Sequence, residues 1–570
     1  MYSTVKKSVL FFIITCCSLV LKVHAQDLSY VIKLTESEQF ESAEKGYKLL
    51  LEKTPNNGDI YYYYGGNYLK MYFTDAEGTV LSDVSEPAML LFKKGIDVDP
   101  NNPLNYIGLG KLALYSGDTA NAKSYFSKAK SFLPSKANKN VVMDLDRQVL
   151  ILYNIAEAYI KAPKKDFPEA YKLLGQAQTL LQDPKKPGVD KVKVPELYII
   201  IGDYYMENND GSNAISNYKK AQELDPSSPK AKLRIGQLWL RAKNYTDALE
   251  YYKDAIKTDS TFAPAYRELG NIYTLARQYD NAIKNYDKFL ELSAGNISAK
   301  IRYASALINA KKYKEVIATI QEILSVDSSR IDLYRGLAYS YFETKQYDDG
   351  LKYIEKFIQK TKPEKVRADD YVYYGRLLSK TKNDSLAVEK LYKAYQMDTT
   401  RTELLSEIAL SYSKLKKYDE GAKYYELLKT LGKATPGDYY NLGKVYYNLQ
   451  NWNFADTNFA SLISLQPDYV QAYLWHARTK SKIDQDATRG LAKPVYEIFI
   501  QKAIADSAKY SKDIFEAYSY LSYYYFVQYN DSKSTVDALN SIQYCEKALA
   551  IVPTDEKAKT ILEAMKKVVK

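Results

Sequence analysis

Three cysteines and two histidines in 570 residues leave little from which to build a disulfide framework or a Cys/His metal cluster. Cys16, Cys17 and His24 fall within the first 25 residues, so only Cys545 and His476 remain beyond them. Fold stability must then come from packing rather than from covalent or metal staples. Tryptophan is scarce at three residues, and the 17 phenylalanines are outnumbered by 57 tyrosines. After Leu21 no run of 18 apolar residues occurs, which excludes a further membrane-spanning helix of ordinary length. The chain has no phosphate-cradling Gly-x-x-x-x-Gly-Lys-Ser/Thr, no Gly-x-Ser-x-Gly elbow and no His-Glu-x-x-His. Ile107-Gly108-Leu109-Gly110 follows no strand and does not read as a dinucleotide loop. His476 sits beside Ala477 in a core position and reads as structural. An enzyme is therefore not expected, and neither is a cofactor or a metal.

An apolar fraction of 46% and a charged fraction of 26% are those of a folded chain rather than a disordered one. The first 25 residues have the order of a secretory signal. Lys6 and Lys7 precede an apolar run from Val9 to Leu21, and Val23-His24-Ala25 offers small residues for cleavage before Gln26. Ile13-Ile14-Thr15 before Cys16 makes a poor lipoprotein site, so export is expected without a lipid anchor, and a signal retained as an N-terminal anchor is the alternative. Loss of Lys6, Lys7 and Lys22 lowers the net charge from +11 by three, to +8. That excess is mild. The basic clusters at 161–165, 185–193 and 360–367 read as solvated loops, and no nucleic acid is expected as partner.

Internal repetition organises the remainder. Gly236, Gly270 and Ala304 stand 34 residues apart, and Ile235-Gly236-x-x-Trp239 returns as Leu269-Gly270-x-x-Tyr273. Twelve residues after each small residue comes another, Ala248 and Ala282, with Gly350 following Ala338 in the same way. In the best copies that residue opens Ala-x-x-x-Tyr-x-x-Ala, as at Ala214, Tyr218, Ala221 and at Ala248, Tyr252, Ala255. Apolar residues spaced by three or four predict two helices per unit. Asn209-Asp210-Gly211 and Lys243-Asn244-Tyr245 supply turns, and Pro100, Pro226, Pro467 and Pro553 end second helices. Small residues are needed where helix backbones approach closely, with the intervening ring filling the space beside them.

This pattern resembles the tetratricopeptide repeat. The resemblance implies an all-α, right-handed solenoid of about 14 units, beginning near residues 26, 58, 103, 149, 195, 229, 263, 297, 331, 368, 402, 436, 470 and 515. Units 4, 8 and 14 are degenerate, with Val316 and Ile320 replacing Ala and Tyr in the eighth and Cys545 taking the large position in the last. The expected segments are a signal at 1–25, N-terminal units with insertions at 26–194, a regular array at 195–469, C-terminal units with insertions at 470–553, and a capping helix at 554–570. In that last helix Ala558, Ile561, Leu562, Met565 and Val568 form the apolar stripe. The tyrosine run 61–64 is expected to place Tyr61 and Tyr64 inside a helix pair, with Tyr62 and Tyr63 toward the groove or the neighbouring unit. Tyrosine suits half-buried sites, because its body is apolar and its tip polar.

Extra residues interrupt the period at about 72–86, 137–148, 183–194, 484–494 and 527–538. Asp484-Gln-Asp486 lacks the remaining oxygen ligands of a calcium loop. Gly490 to Glu497 is expected to begin a long second helix.

The resemblance further implies that first helices line a concave groove. Threading the sequence onto it gives a basic ladder of Arg234, Arg267, Arg302, Arg335, Arg376, Lys444 and Arg478. Aromatic neighbours are Tyr339, Phe342, Tyr373, Tyr440, Tyr447 and Trp475. Such a stripe suits an extended, acidic protein segment. The competing reading pairs the arginines with acids such as Glu268, Asp332 or Glu343. Arg267 and Asn271 imitate part of the family's carboxylate clamp, but Arg302 and Asp332 break it, so tail capture is not inherited from the fold. The expected function is a non-enzymatic protein-binding scaffold in a bacterial envelope, in the periplasm of a Bacteroidetes-type organism. A holdase for exported chains, or an envelope enzyme with a carboxylate site in an insertion, are the alternatives.

Overall fold

Helix pairs recur along the chain because neither helix of a pair can bury its apolar stripe alone. The computed structural model describes residues 27–74, 80–135, 142–183, 189–293 and 295–569. The signal sequence lies outside them, as do parts of the 72–86, 137–148 and 183–194 insertions. The described residues are helical, and the chain divides into two compact units, up to Ser328 and from Ser329 to Lys570.

Among the described residues the first unit holds eight helix pairs, from Leu28–Glu36 with Phe40–Lys53 to Ile297–Asn309 with Tyr313–Val326. The second holds six, from Ile331–Glu343 with Tyr347–Lys360 to Ser507–Ser532 with Thr535–Ile551, followed by Glu556–Val569.

Many pairs are keyed by a small residue set against a ring, and in others an aliphatic side chain stands in its place, as where Gly375 meets Leu391. A side chain on Gly270 would come within 2.8 Å of the Tyr286 ring, and one on Gly443 within 2.6 Å of Phe459. Gly202 faces Tyr218 and Gly236 faces Tyr252 in the same way, while Gly65 and Gly108 both abut Phe92. The rings at this position are fully buried, including those of Tyr218, Tyr252, Tyr286 and Tyr425. Tyrosine is thus used in full burial as well as at half-buried sites. Tyr218 donates to Asp203 at 2.8 Å and Tyr286 to Asn271 at 2.7 Å, which satisfies the buried hydroxyl.

Between the helices of a pair the chain turns through one residue at positive φ. Asn209, Lys243, Arg277, Lys311 and Lys345 recur every 34 residues, as do Lys382, Lys416 and Gln450. Asp210 and Asn244 then cap the second helix, accepting the backbone N–H of Asn213 and Asp247. Between pairs, Asp225, Asp259 and Asp398 accept the N–H two residues on and fold the return.

Several expectations are corrected. Tyr64 stacks at 5.4 Å on Tyr47 of the preceding pair, whereas Tyr62 and Tyr63 face the groove side as expected, Tyr62 beside Phe92 with its hydroxyl on Asn154 of another pair. The second helix after the 484–494 insertion is short, Lys493–Ala503, and the extra length near 527 extends the first helix of the last pair, Ser507–Ser532. In the final helix Val568 is exposed and Val569 packs inward, since a turn of 3.6 residues carries Val568 past the stripe.

Candidate functional site

In the second unit the first helices touch one another laterally, and the ladder residues lie along that seam. Arg335 reaches Asp370 of the next repeat through two nitrogens, at 2.7 and 2.9 Å. Asp370, itself fully buried, also accepts the Tyr339 hydroxyl at 2.6 Å and the Arg367 N–H at 2.7 Å. Arg376 grips Glu407 at 2.6 to 3.2 Å. Arg478 pairs with Glu516 at 2.7 Å and Asp513 at 3.0 Å. These three arginines are matched by acids one repeat ahead, because a guanidinium on one first helix reaches the next across the seam. Of the nearby acids named from the sequence, Glu268 does pair with Arg267, at 3.0 Å, whereas Glu343 accepts the Tyr373 hydroxyl at 3.0 Å.

The aromatic residues form two groups. Tyr339 and Tyr373 stack at 3.9 Å, with Phe342 edge-on to Tyr373 at 5.4 Å. Farther along, Tyr447 meets Trp452 and Trp475 edge-on at 5.0 and 5.3 Å, and Tyr440 meets Tyr469 at 5.7 Å. Trp475 lies between two cations: the Lys444 ammonium stands 5.2 Å from its ring and the Arg478 guanidinium 5.1 Å. Lys444 is also 5.4 Å from Tyr440 and has no carboxylate partner among the described residues.

In the first unit the candidate residues Arg234, Arg267, Asn271 and Arg302 share the wall of one cavity of about 690 Å³. The cavity exists because the first helix pair closes onto the sixth and seventh. Glu36 bridges Lys70 at 2.6 Å and Lys230 at 2.8 Å, and Lys230 reaches on to Glu196 at 2.9 Å. Arg267 is buried between Glu38 and Glu268. Ser293 Oγ donates to the Glu38 carbonyl at 2.6 Å, Gln39 Nε2 donates to the Thr261 carbonyl at 2.9 Å, and Lys33 pairs with Asp259 at 2.8 Å. Arg234 is taken up by Asp203 at 3.0 Å and by Gln237. Asn271 spans Glu268 and the Tyr286 hydroxyl. Arg302, half-buried, has no carboxylate partner among the described residues. Glu36 and Glu38 are the functional residues that sequence reasoning missed. Nothing in the local pattern marks them, because their partners lie up to 255 positions away.

Burial alone would raise the carboxyl of Glu36, but Lys230 and Lys70 outweigh it and hold it below the usual carboxylate range. Glu157, buried between Lys111 and Lys161, is depressed in the same way. Burial lowers Lys70 despite its pairing with Glu36.

His476 Nε2 lies 2.8 Å from Asp456, which also binds Lys480. Asp484 is buried and accepts the N–H groups of Arg489 and Leu491, so it staples its loop. Among the described residues no group of three or more His, Cys, Asp and Glu side chains is placed to hold a metal ion, and no helix is long and apolar enough to cross a membrane.

The sequence profile of the tetratricopeptide repeat matches residues 201–264, and that of anaphase-promoting complex, cyclosome, subunit 3 matches residues 276–357. Among solved structures, the C-terminal part of a TPR repeat-containing protein from Cytophaga hutchinsonii is 31% identical, covering 46% of this chain and 98% of its own, with a TM-score of 0.40. A tetratricopeptide repeat protein from Parabacteroides merdae is 19% identical, covering 46% of this chain and 99% of its own, with a TM-score of 0.30. YrrB, described as a TPR protein with an unusual peptide-binding site, is 20% identical, covering 33% of this chain and 95% of its own, with a TM-score of 0.31. No curated protein matches. The 34-residue helix pairs, the glycine-to-ring keys, the repeat profile and the 31% identity across nearly all of the Cytophaga structure agree: the chain belongs to the tetratricopeptide repeat family.

Proposed function

We propose that the protein is a non-enzymatic scaffold, exported to the periplasm of a Bacteroidetes-type bacterium, whose second unit takes an acidic, extended segment of a partner protein. The observation that carries this reading is Lys444. Arg335, Arg376 and Arg478 along the same seam are each neutralised by carboxylates, whereas Lys444 is held only by the faces of Tyr440 and Trp475. An ammonium over aromatic faces keeps donors for a carboxylate, and the rings beside it offer apolar contact. The order of charge, apolar run and small residues over 1–25 supports export.

A photo-crosslinking residue at position 447, read by mass spectrometry in the source cells, tests the surface. Capture of one or two defined envelope proteins, lost on Lys444→Glu, is the expected result. Many unrelated exported chains would instead indicate a holdase, and capture unaffected by Lys444→Glu would overturn the site. The mass of the purified protein tests export, which predicts a chain beginning at Gln26.

A further inference from the structure

The cavity of the first unit has features that its structural role does not account for. Tyr115 and Tyr153 line it, are only 6% and 8% exposed, and their hydroxyls have no hydrogen-bond partner among the described residues. Neither hydroxyl oxygen is itself sealed from solvent, so both face the open space of the cavity, where each can offer a donor and an acceptor. Close by, Lys111 and Lys161 share the single carboxylate of Glu157, with 2.7 Å between Lys111 and Glu157. The wall as a whole carries seven cationic side chains against five carboxylates, and Asp203 takes up one of the seven, Arg234, which leaves a surplus of one positive charge.

Gly66 is the second anomaly. It lies inside the helix Gly58–Thr74, where glycine is costly relative to alanine. Its neighbour Gly65 is required, because a side chain there would collide with Phe92, but a side chain on Gly66 would meet nothing within 4 Å. Gly66 lines the same cavity, so a side chain there would project into that open space.

We propose that this cavity is a binding site for a small organic monocarboxylate with an apolar body, its carboxylate met by the Lys111 and Lys161 ammonium groups and its other polar atoms by the hydroxyls of Tyr115 and Tyr153. The volume, about 690 Å³, is that of a small-molecule pocket. The modest surplus of positive charge favours a single negative charge over a dianion. This ligand is distinct from the partner protein proposed for the second unit, and neither reading depends on the other.

Dansylglycine, which carries a carboxylate, a flat aromatic body and a sulfonyl acceptor, serves as the probe, with dansylamide as its neutral analogue. Fluorescence titration of the full chain is expected to show saturable dansylglycine binding, at least about tenfold tighter than dansylamide. Lys161→Gln is expected to erase that preference. Tyr115→Phe with Tyr153→Phe is expected to weaken dansylglycine at least about fivefold while leaving thermal stability unchanged or higher, because the lost hydroxyls have no partner. Gly66→Leu is expected to weaken both probes by filling the cavity, and Gly66→Ala, which favours the helix, provides the same test with less added bulk. Absence of saturable dansylglycine binding, equal affinity for dansylamide, or binding that survives both the Gly66 and the tyrosine variants overturns the proposal.

Discussion

Two glycines in first helices show how differently one residue type is used. Gly443 is a contact residue: alanine there places a carbon 2.6 Å from the buried Phe459 ring. Gly443→Ala is expected to lower stability by about 1–3 kcal/mol, as overpacking does, although helix propensity alone would raise it. Gly66→Ala is expected to do the reverse and stabilise by about 0.5–1 kcal/mol, since only propensity changes. Urea denaturation of the two variants compares them directly, and equal signs would refute the distinction. Tyrosine likewise has more than one task. Tyr61, Tyr106, Tyr266 and Tyr473 each donate to the carbonyl six residues earlier, tying the first helix to the preceding turn. Composition announced the excess of tyrosine, but which rings are buried and which pin turns depends on the backbone they reach.

Helix pairs and their turns were the most legible feature. A 34-residue period located the first helices because close backbone approach permits only small residues there. The left-handed turn residue was hidden, because lysine fills it at 243, 311, 345, 382 and 416 where glycine or asparagine would have signalled it. Lys243→Gly is expected to raise the stability of the first unit by about 1 kcal/mol by relieving the left-handed penalty. A fall in the denaturation midpoint would show that the lysine side chain contributes more than the strain costs. Departures from the period were less legible. Extra residues near 527 could be counted from the sequence, but a helix absorbs added residues as readily as a loop does, and here Ser507–Ser532 took them up.

Closure of the first unit rests on ionic and polar contacts between its first helix pair and the sixth and seventh. Glu38→Ala removes one of the two carboxylates around the buried Arg267. The expected loss is about 1.5–3 kcal/mol from the closed state, read as faster amide hydrogen exchange over residues 28–53. Exchange unchanged there would mean that the remaining contacts hold the pair alone. Acid should open it too. Glu36 and Glu157 have folded pKa values held below the ordinary 4.5, so their stabilisation is complete above that value and is lost as pH falls below it toward their folded values. Exchange protection of residues 28–53 measured from pH 6 downward is expected to decline only below about pH 4.5.

Repetition fixed the helices, their pairing and the small-residue keys in advance, since these contacts link residues close in sequence and recur in register. The groove residues were placed along first helices by the same register, and Arg234, Arg267, Asn271 and Arg302 do share one wall. Their availability was decided elsewhere. Whether Arg267 meets solvent or Glu38 depends on a sequence separation of 229, over which a small rotation per repeat brings the first pair back onto the seventh. No local pattern records that sum. The same closure turned an expected open groove into a cavity, left two tyrosine hydroxyls facing it, and gave Gly66 an empty space to border.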